Sequence, residues 1–281
     1  MERESPQKKS ILITGCSSGI GWYCALQLQK EGWQVYATAR KDEDIKALKV
    51  HGVEAFFLDY SDTSSIHAAF NKVMTKTDGR LDALFNNGAY GQAGAVEDLS
   101  TQTLRQQFEA NFFGWHELTN LAVPVMRKQG HGRIVHCSSI LGFVPYAWRG
   151  AYNASKYALE GLATTMRLEL KGSAIDVCLI EPGPIKSKFV QNGLPHFIDN
   201  IDQINTVHAK QYKNQLQRLQ TSGGKNRLRL GPEAVYSKLI HALTAKRPKA
   251  HYLVTLPTYM MAIARRILPY SMLERVLSSS N

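Results

Sequence analysis

Acid is what this chain runs short of. Beyond residue 202 only Glu233 and Glu274 oppose 13 lysines and arginines, whereas residues 1–202 hold 21 basic and 21 acidic side chains, so the whole formal charge of +11 lies in the carboxyl-terminal portion. Such a portion attracts phosphates, nucleic acid or an anionic membrane surface. Its cations are scattered and track no groove with interleaved aromatics, so no nucleic acid partner is expected and membrane contact is the better alternative. Cysteine is scarce as well. Cys16, Cys24, Cys137 and Cys178 have no metal or redox spacing, so no metal is expected. Cys24, Cys137 and Cys178 read as small buried hydrophobes and Cys16 as a tolerated loop residue. No repeat, low-complexity stretch or long linker interrupts the chain, and a single domain over 1–281 is expected. Residues 1–9 are polar with no apolar run, so no signal peptide is expected and the expected compartment is a reducing cytoplasm.

What is present is a regular alternation. Strand-like runs at 11–14, 34–39, 53–58, 82–86, 133–137, 175–181 and 251–254 are separated by helical stretches. That pattern predicts an α/β fold, a Rossmann-type doubly wound parallel sheet of about seven strands covered on both faces. A ligand then lies across the carboxyl ends of the strands.

The first run, Ser10-Ile11-Leu12-Ile13-Thr14, leads directly into Gly15-Cys16-Ser17-Ser18-Gly19-Ile20-Gly21. Gly15 permits a tight turn, Gly19 lets backbone approach a pyrophosphate, and Gly21 allows close helix packing while the helix start offers free N–H groups. At the end of the second strand an acid would grip a ribose 2′-hydroxyl. Ala39-Arg40-Lys41 stands there instead, which removes a repulsive carboxylate and supplies two cations for a 2′-phosphate. The cofactor expected is NADP.

Tyr152 and Lys156 are one helical turn apart and Ser139 precedes Tyr152 by thirteen residues. An isolated phenol titrates near ~10, and a neighbouring ammonium favours its ionised form. With a serine hydroxyl on the substrate oxygen, the set suits reduction of a carbonyl or oxidation of an alcohol.

Together these motifs resemble the short-chain dehydrogenase/reductase family, in the branch of 17β-hydroxysteroid and retinol dehydrogenases and of bacterial NADP-dependent aldehyde reductases. The resemblance implies Asn111, Ser139, Tyr152 and Lys156 as catalytic residues, with Asn111 positioning the lysine through water. It implies cofactor contacts from Gly15, Ser17, Ser18, Gly19, Ile20, Gly21, Arg40, Lys41, Asp59, Asn87, Gly88, Tyr152, Lys156, Pro182, Gly183, Ile185 and Ser187. Asp59, ending the third strand, would meet the adenine. Gly88-Ala89 stands where the family usually has Ala-Gly, which bears on the local backbone beside the cofactor. A homo-oligomer built through helices at 101–128 and 151–172 is also implied.

Residues 188–230 make a polar connection that resembles the family's mobile substrate lid. Phe189, Leu194 and Phe197 there, with Phe143, Tyr146 and Trp148, are candidates for an apolar pocket. In 256–278, Met260, Ile263, Ala264, Ile267 and Leu268 recur at helical spacing beside Arg265 and Arg266, and Met272, Leu273, Val276 and Leu277 follow Pro269. Three roles stay open for this segment: packing on the sheet, capping a greasy substrate, or weak peripheral membrane contact. The expected function is NADP-dependent interconversion of a small apolar aldehyde or ketone and its alcohol. The alternatives are a retinol or hydroxysteroid dehydrogenase on membrane-borne lipids, and a cofactor-bound sensor or scaffold without turnover.

Overall fold

The computed structural model describes residues 8–221 and 228–278, so residues 222–227 of the expected lid lie outside the described residues. Seven parallel strands run β1 (Ser10–Ile13), β2 (Gln34–Ala39), β3 (Glu54–Phe57), β4 (Ala83–Asn86), β5 (Gly132–Cys137), β6 (Ile175–Glu181) and β7 (His251–Leu253). Their order in the sheet is β3-β2-β1-β4-β5-β6-β7. β1 and β4 are buried at every position, because strands covered on both faces need apolar residues without alternation. Ile11 pairs with Val35 on one side and Ala83 on the other. The direction of winding reverses between β1 and β4, and a crevice opens there at the carboxyl ends.

Helices α1 (Gly19–Lys30), α2 (Asp42–Val50), α3 (Thr63–Lys76), α4 (Thr101–Phe108), α5 (Gly114–Gln129), α6 (Gly150–Glu169) and α9 (Glu233–Thr244) cover the sheet. α3 starts where Asp62 Oδ1 accepts from the Ser64 and Ser65 amides at 2.9 and 3.3 Å. α5 ends at Gly130, whose φ of 79° is the left-handed stop. β3 stops at Phe57, so Asp59 sits in the following turn, with the Asp62 amide bonded to its carbonyl, and does not end the strand as expected. Cys16 lies in the turn after β1, as expected of a loop residue, and is fully buried there with its Sγ on the Ile13 carbonyl.

The connection expected to be a mobile lid holds two helices, α7 (Phe189–Asn200) and α8 (Ala209–Thr221), fastened to the loop after β4. Phe197, Ile201 and Tyr212 bury themselves with Ala95 in a second, smaller core. Trp148, a pocket candidate from the sequence, packs edge-on against Tyr212 in this core. Polar bonds reinforce the joint: the Tyr212 hydroxyl accepts from the Ala95 amide at 2.7 Å and bonds to Asp98, and Asn200 Nδ2 donates to Gln92 Oε1 at 2.9 Å.

α10 (Leu256–Ile267) and α11 (Tyr270–Ser278) follow β7. Thr258 and Leu273 face inward, but Leu256, Met260, Ile263 and Ile267 are 62, 60, 58 and 72% exposed, so packing on the sheet leaves most of the apolar stripe uncovered. No described helix is long and apolar enough to cross a membrane.

Removing the Tyr212 hydroxyl strands the buried Ala95 amide, a loss of about 1–3 kcal/mol. Tyr212→Phe is therefore expected to lower the urea midpoint of the folded protein. An unchanged midpoint would mean that the apolar contacts alone fasten α7 and α8.

Candidate active site

The turn after β1 is shaped by what its glycines lack. Gly15 has φ +67°, and a Cβ on it would lie 2.3 Å from Gly88 Cα. A Cβ on Gly21 would lie 2.4 Å from the Gly15 carbonyl oxygen. Ser18 caps α1 without a side-chain hydrogen bond and no acid occupies the first turn, so the helix start is open to a phosphate. This cradle fits the pyrophosphate of a nicotinamide dinucleotide. The opposite wall is the segment after β6, where Ser187 Cβ lies 3.0 Å from the position a Gly19 Cβ would take. Pro182 accepts the Ile140 amide at 2.8 Å, Gly183 is pressed against Thr255, and Ile185 bridges to Leu230.

Asn87 and Gly88 brace this turn. The Asn87 side-chain amide donates to the Thr14 and Gly15 carbonyls at 3.0 and 3.2 Å, and Thr14 Oγ1 accepts both the Asn87 and Gly88 amides. The glycine at 88 rather than 89 therefore has a local reason: it lies against Gly15. Arg40 Nη1 stands 4.0 Å from Asp59 Oδ2, both partly exposed, and Lys41 caps α2.

Ser139 follows β5 and caps a 3₁₀ turn, its Oγ accepting the Leu141 amide at 3.1 Å. Tyr152 and Lys156 lie on the buried face of α6, 7 and 1% exposed. Burial pushes the Tyr152 phenol above its ordinary pKa, and the Ser139 hydroxyl bonded to it pulls the other way. The expected depression by Lys156 is not seen. Its ammonium is drawn instead to the Cys137 carbonyl at 2.9 Å and to the face of Trp115, 4.0 Å from the ring centroid, and stands 5.8 Å from the Tyr152 ring. Burial lowers Lys156 to about 8, and a cation–π contact with Trp115 offsets part of that desolvation.

Asn111 lies in a π-turn (Glu109–Phe113) between α4 and α5. Its side chain clasps the Tyr90 backbone, accepting the amide at 3.2 Å and donating to the carbonyl at 2.8 Å, and reaches Ser155 Oγ at 3.4 Å. The side chain thus holds the Tyr90 backbone beside the buried face of α6.

An apolar cavity of about 60 Å³ adjoins Tyr152, whose ring meets Phe189 edge-on at 5.3 Å. Phe189, Val190, Leu194 and Phe197 of α7, Leu216 of α8 and Arg149 line it. Of the candidates read from the sequence, Phe189, Leu194 and Phe197 do line this space, whereas Phe143 is buried elsewhere and Tyr146 is exposed. A polar notch of about 30 Å³ between Lys8 and Asp82 lies at the amino ends of the strands, away from the crevice.

Three groups escaped the sequence reading. Trp115 stands one turn beyond Asn111, a spacing that places it on the same helix side, yet a lone tryptophan signals only core. Arg149 precedes α6 by one residue. Glu160, Glu181 and His251 come from α6, β6 and β7 and meet only in the fold, with one ligand-type atom of each within 4.8 Å of the others. His251 Nδ1 is 2.9 Å from Glu181 Oε1 and 3.8 Å from Glu160 Oε2. Burial and then Glu181 raise Glu160 to about 7, and the hydrogen bond to Glu181 raises His251.

The comparisons agree with this geometry. Residues 9–196 match the family model described as short chain dehydrogenase. The chain is 40% identical over 270 residues to the Escherichia coli protein called Uncharacterized oxidoreductase YbbO, covering 96% of this chain and 94% of that one. It is 30% identical over 263 residues to human 17-beta-hydroxysteroid dehydrogenase type 1, covering 87 and 77%. Among solved structures it is similar to a short chain dehydrogenase/reductase from Burkholderia phymatum in complex with NAD (TM-score 0.76, 23% identity, 92% of both chains). It is likewise similar to an actinorhodin polyketide ketoreductase with NADPH (TM-score 0.72, 25% identity, 88 and 95%).

Glu160 and His251 both hold protons more tightly in the folded protein than an unfolded chain would. For Glu160 the stability this contributes is complete below the unfolded carboxyl pKa near ~4.3 and is lost as pH rises through about 7; for His251 the loss with rising pH has the same sign. Glu160→Gln removes the carboxyl's share. The wild type is expected to lose several degrees more of Tm than this variant between mildly acidic and mildly alkaline buffer, at roughly 2–4 °C per kcal/mol. Parallel Tm curves would show that folding does not shift the Glu160 carboxyl.

Proposed function

The chain belongs to the short-chain dehydrogenase family, and on that premise we propose that it is an NADP(H)-dependent reductase of aldehydes or ketones. The observation that carries the reading is the phenol of Tyr152, buried against Ser139 at the edge of an apolar cavity. Burial keeps that phenol protonated at neutral pH, the state required to donate to a carbonyl oxygen as it gains negative charge. Ser139 would hold the same oxygen by its hydroxyl. Lys156, lowered to about 8, would return a proton toward the phenol. Asn111 acts as a positioning residue, fixing Tyr90 in the loop that faces α7.

NADP(H), when bound, supplies or accepts the hydride. Gly15, Ser17, Ser18, Gly19, Ile20 and Gly21 would hold its pyrophosphate and Asp59 its adenine. Arg40 and Lys41 would meet the 2′-phosphate, which the absence of an acid at the end of β2 supports. Pro182, Gly183, Ile185 and Ser187 would border the nicotinamide.

The test is nucleotide consumption with a panel of aldehydes, retinal and oxosteroids. NADPH is expected to be used in clear preference to NADH, and Tyr152→Phe to lower turnover by ~10² to 10⁴-fold while leaving NADPH binding nearly intact. Equal use of NADH would reject the cofactor assignment, and a variant keeping more than a tenth of the rate would reject the acid.

A second reading has its own support. The exposed stripe of Leu256, Met260, Ile263 and Ile267, with Arg265 and Arg266 on the same helix, suits shallow contact with an anionic bilayer that carries the substrate. Each cation near such a surface contributes about 1 kcal/mol. The protein is expected to sediment with anionic vesicles at low salt and to be released at high salt. Its remaining in the supernatant at low salt would reject the contact.

A further inference from the structure

Arg149 is the single charged group among the described residues lining the apolar cavity. It is only partly exposed, and among the described residues no acid compensates it. Burial pulls its pKa below the arginine value, and among the described residues the Tyr146 phenol opposes this. The other enclosed arginines are provided for: Arg133 is paired with Asp176, and Arg167 donates to the Val177 and Pro248 carbonyls. Among the described residues no carboxylate stands within ion-pairing distance of Arg149. Nor does the start of α6 supply negative charge, since its first turn holds no acid. The backbone of Arg149 is fixed, bridged to Gly94, with the Gly94 amide bonded to the Trp148 carbonyl at 3.1 Å.

A largely enclosed cation without a counter-charge costs stability, and fold packing alone gives no return for it. A ligand anion does. We propose that Arg149 is the specificity-determining residue of the substrate pocket, and that the preferred carbonyl substrate carries a carboxylate or phosphate on a short apolar chain. This rests on the reductase reading above. Arg149 lies three residues before Tyr152, so the anion binds near the reacting carbonyl while Val190, Leu194, Phe197 and Leu216 enclose the chain between them. A neutral analogue would leave the guanidinium enclosed and unpaired, which is how a polar site rejects the wrong substrate more strongly than an apolar one can.

The experiment compares kcat/KM, with saturating NADPH and the full-length protein, for adipic semialdehyde, its methyl ester, and the phosphate monoester of a hydroxyaldehyde of equal length. At least one anion is expected to exceed the neutral ester by roughly 10- to 150-fold, the range of a charge-assisted contact, and the better of the two identifies the group. In Arg149→Leu the anion-to-ester ratio is expected to fall toward one, and in Arg149→Lys to stay well above it. Equal kcat/KM for all three compounds in the wild type would overturn the proposal while the reductase reading stands. A ratio preserved in a folded Arg149→Leu would also overturn it. Turnover of no aldehyde of any kind would overturn the reductase reading and this proposal together. Should Arg149→Leu not fold, the wild-type ratio and the Arg149→Lys variant decide.

Discussion

One backbone contact governs the crevice: the turn at Gly15 lying directly on Gly88. The two loops leave adjacent strands at the point where the winding reverses, and no side chain fits between them. Thr14 is the peg that holds them. Its Oγ1 accepts the Asn87 and Gly88 amides, and the Tyr60 hydroxyl lies 2.8 Å from it and 2.6 Å from Asn86 Oδ1. Everything else is hung from this joint. The free start of α1 faces a phosphate because Gly15 turns where it does, and Gly88 in turn fixes Trp115, whose indole N–H donates to its carbonyl at 2.8 Å.

Trp115 passes that constraint to the chemistry. A lysine that is 1% exposed needs a compensating surface, and here a carbonyl and an indole face provide it. The same ring stacks on His136, 6.0 Å away and nearly parallel, whose imidazole burial and Lys156 push down to about 3. A neutral imidazole stacked on the ring leaves the ammonium there without a second cation competing.

Much of this was legible in the chain. The seven strands fall within one or two residues of their apolar runs, because parallel strands covered on both faces leave no other reading of such segments. The glycine turn and the Ser139, Tyr152, Lys156 set were legible because their chemistry depends on spacing along one turn or one helix. What depends on contacts across the fold was not. Asn111 spends its amide on Tyr90, twenty-one residues away in sequence, and nothing local announces that choice. Glu160, Glu181 and His251 stand on three separate elements and meet only in the fold. The lid read as a polar connection because 188–230 is polar on average, but Phe197, Ile201 and Tyr212 are few and well placed, and average polarity conceals a small core.

The π-turn at Glu109–Phe113 also sets the angular phase of the long helix that contains it. One residue in an ordinary helix advances the side-chain direction by about 100°, so a single wide turn rotates all that follows relative to all that precedes. Before it, Gln107 points to the Tyr90 carbonyl and the Gln92 amide; after it, Trp115 and Thr119 point to Gly88 and Asn86. The extra residue thus works as a gear tooth. It lets one helix address two loops that a regular helix of the same sequence would not reach together.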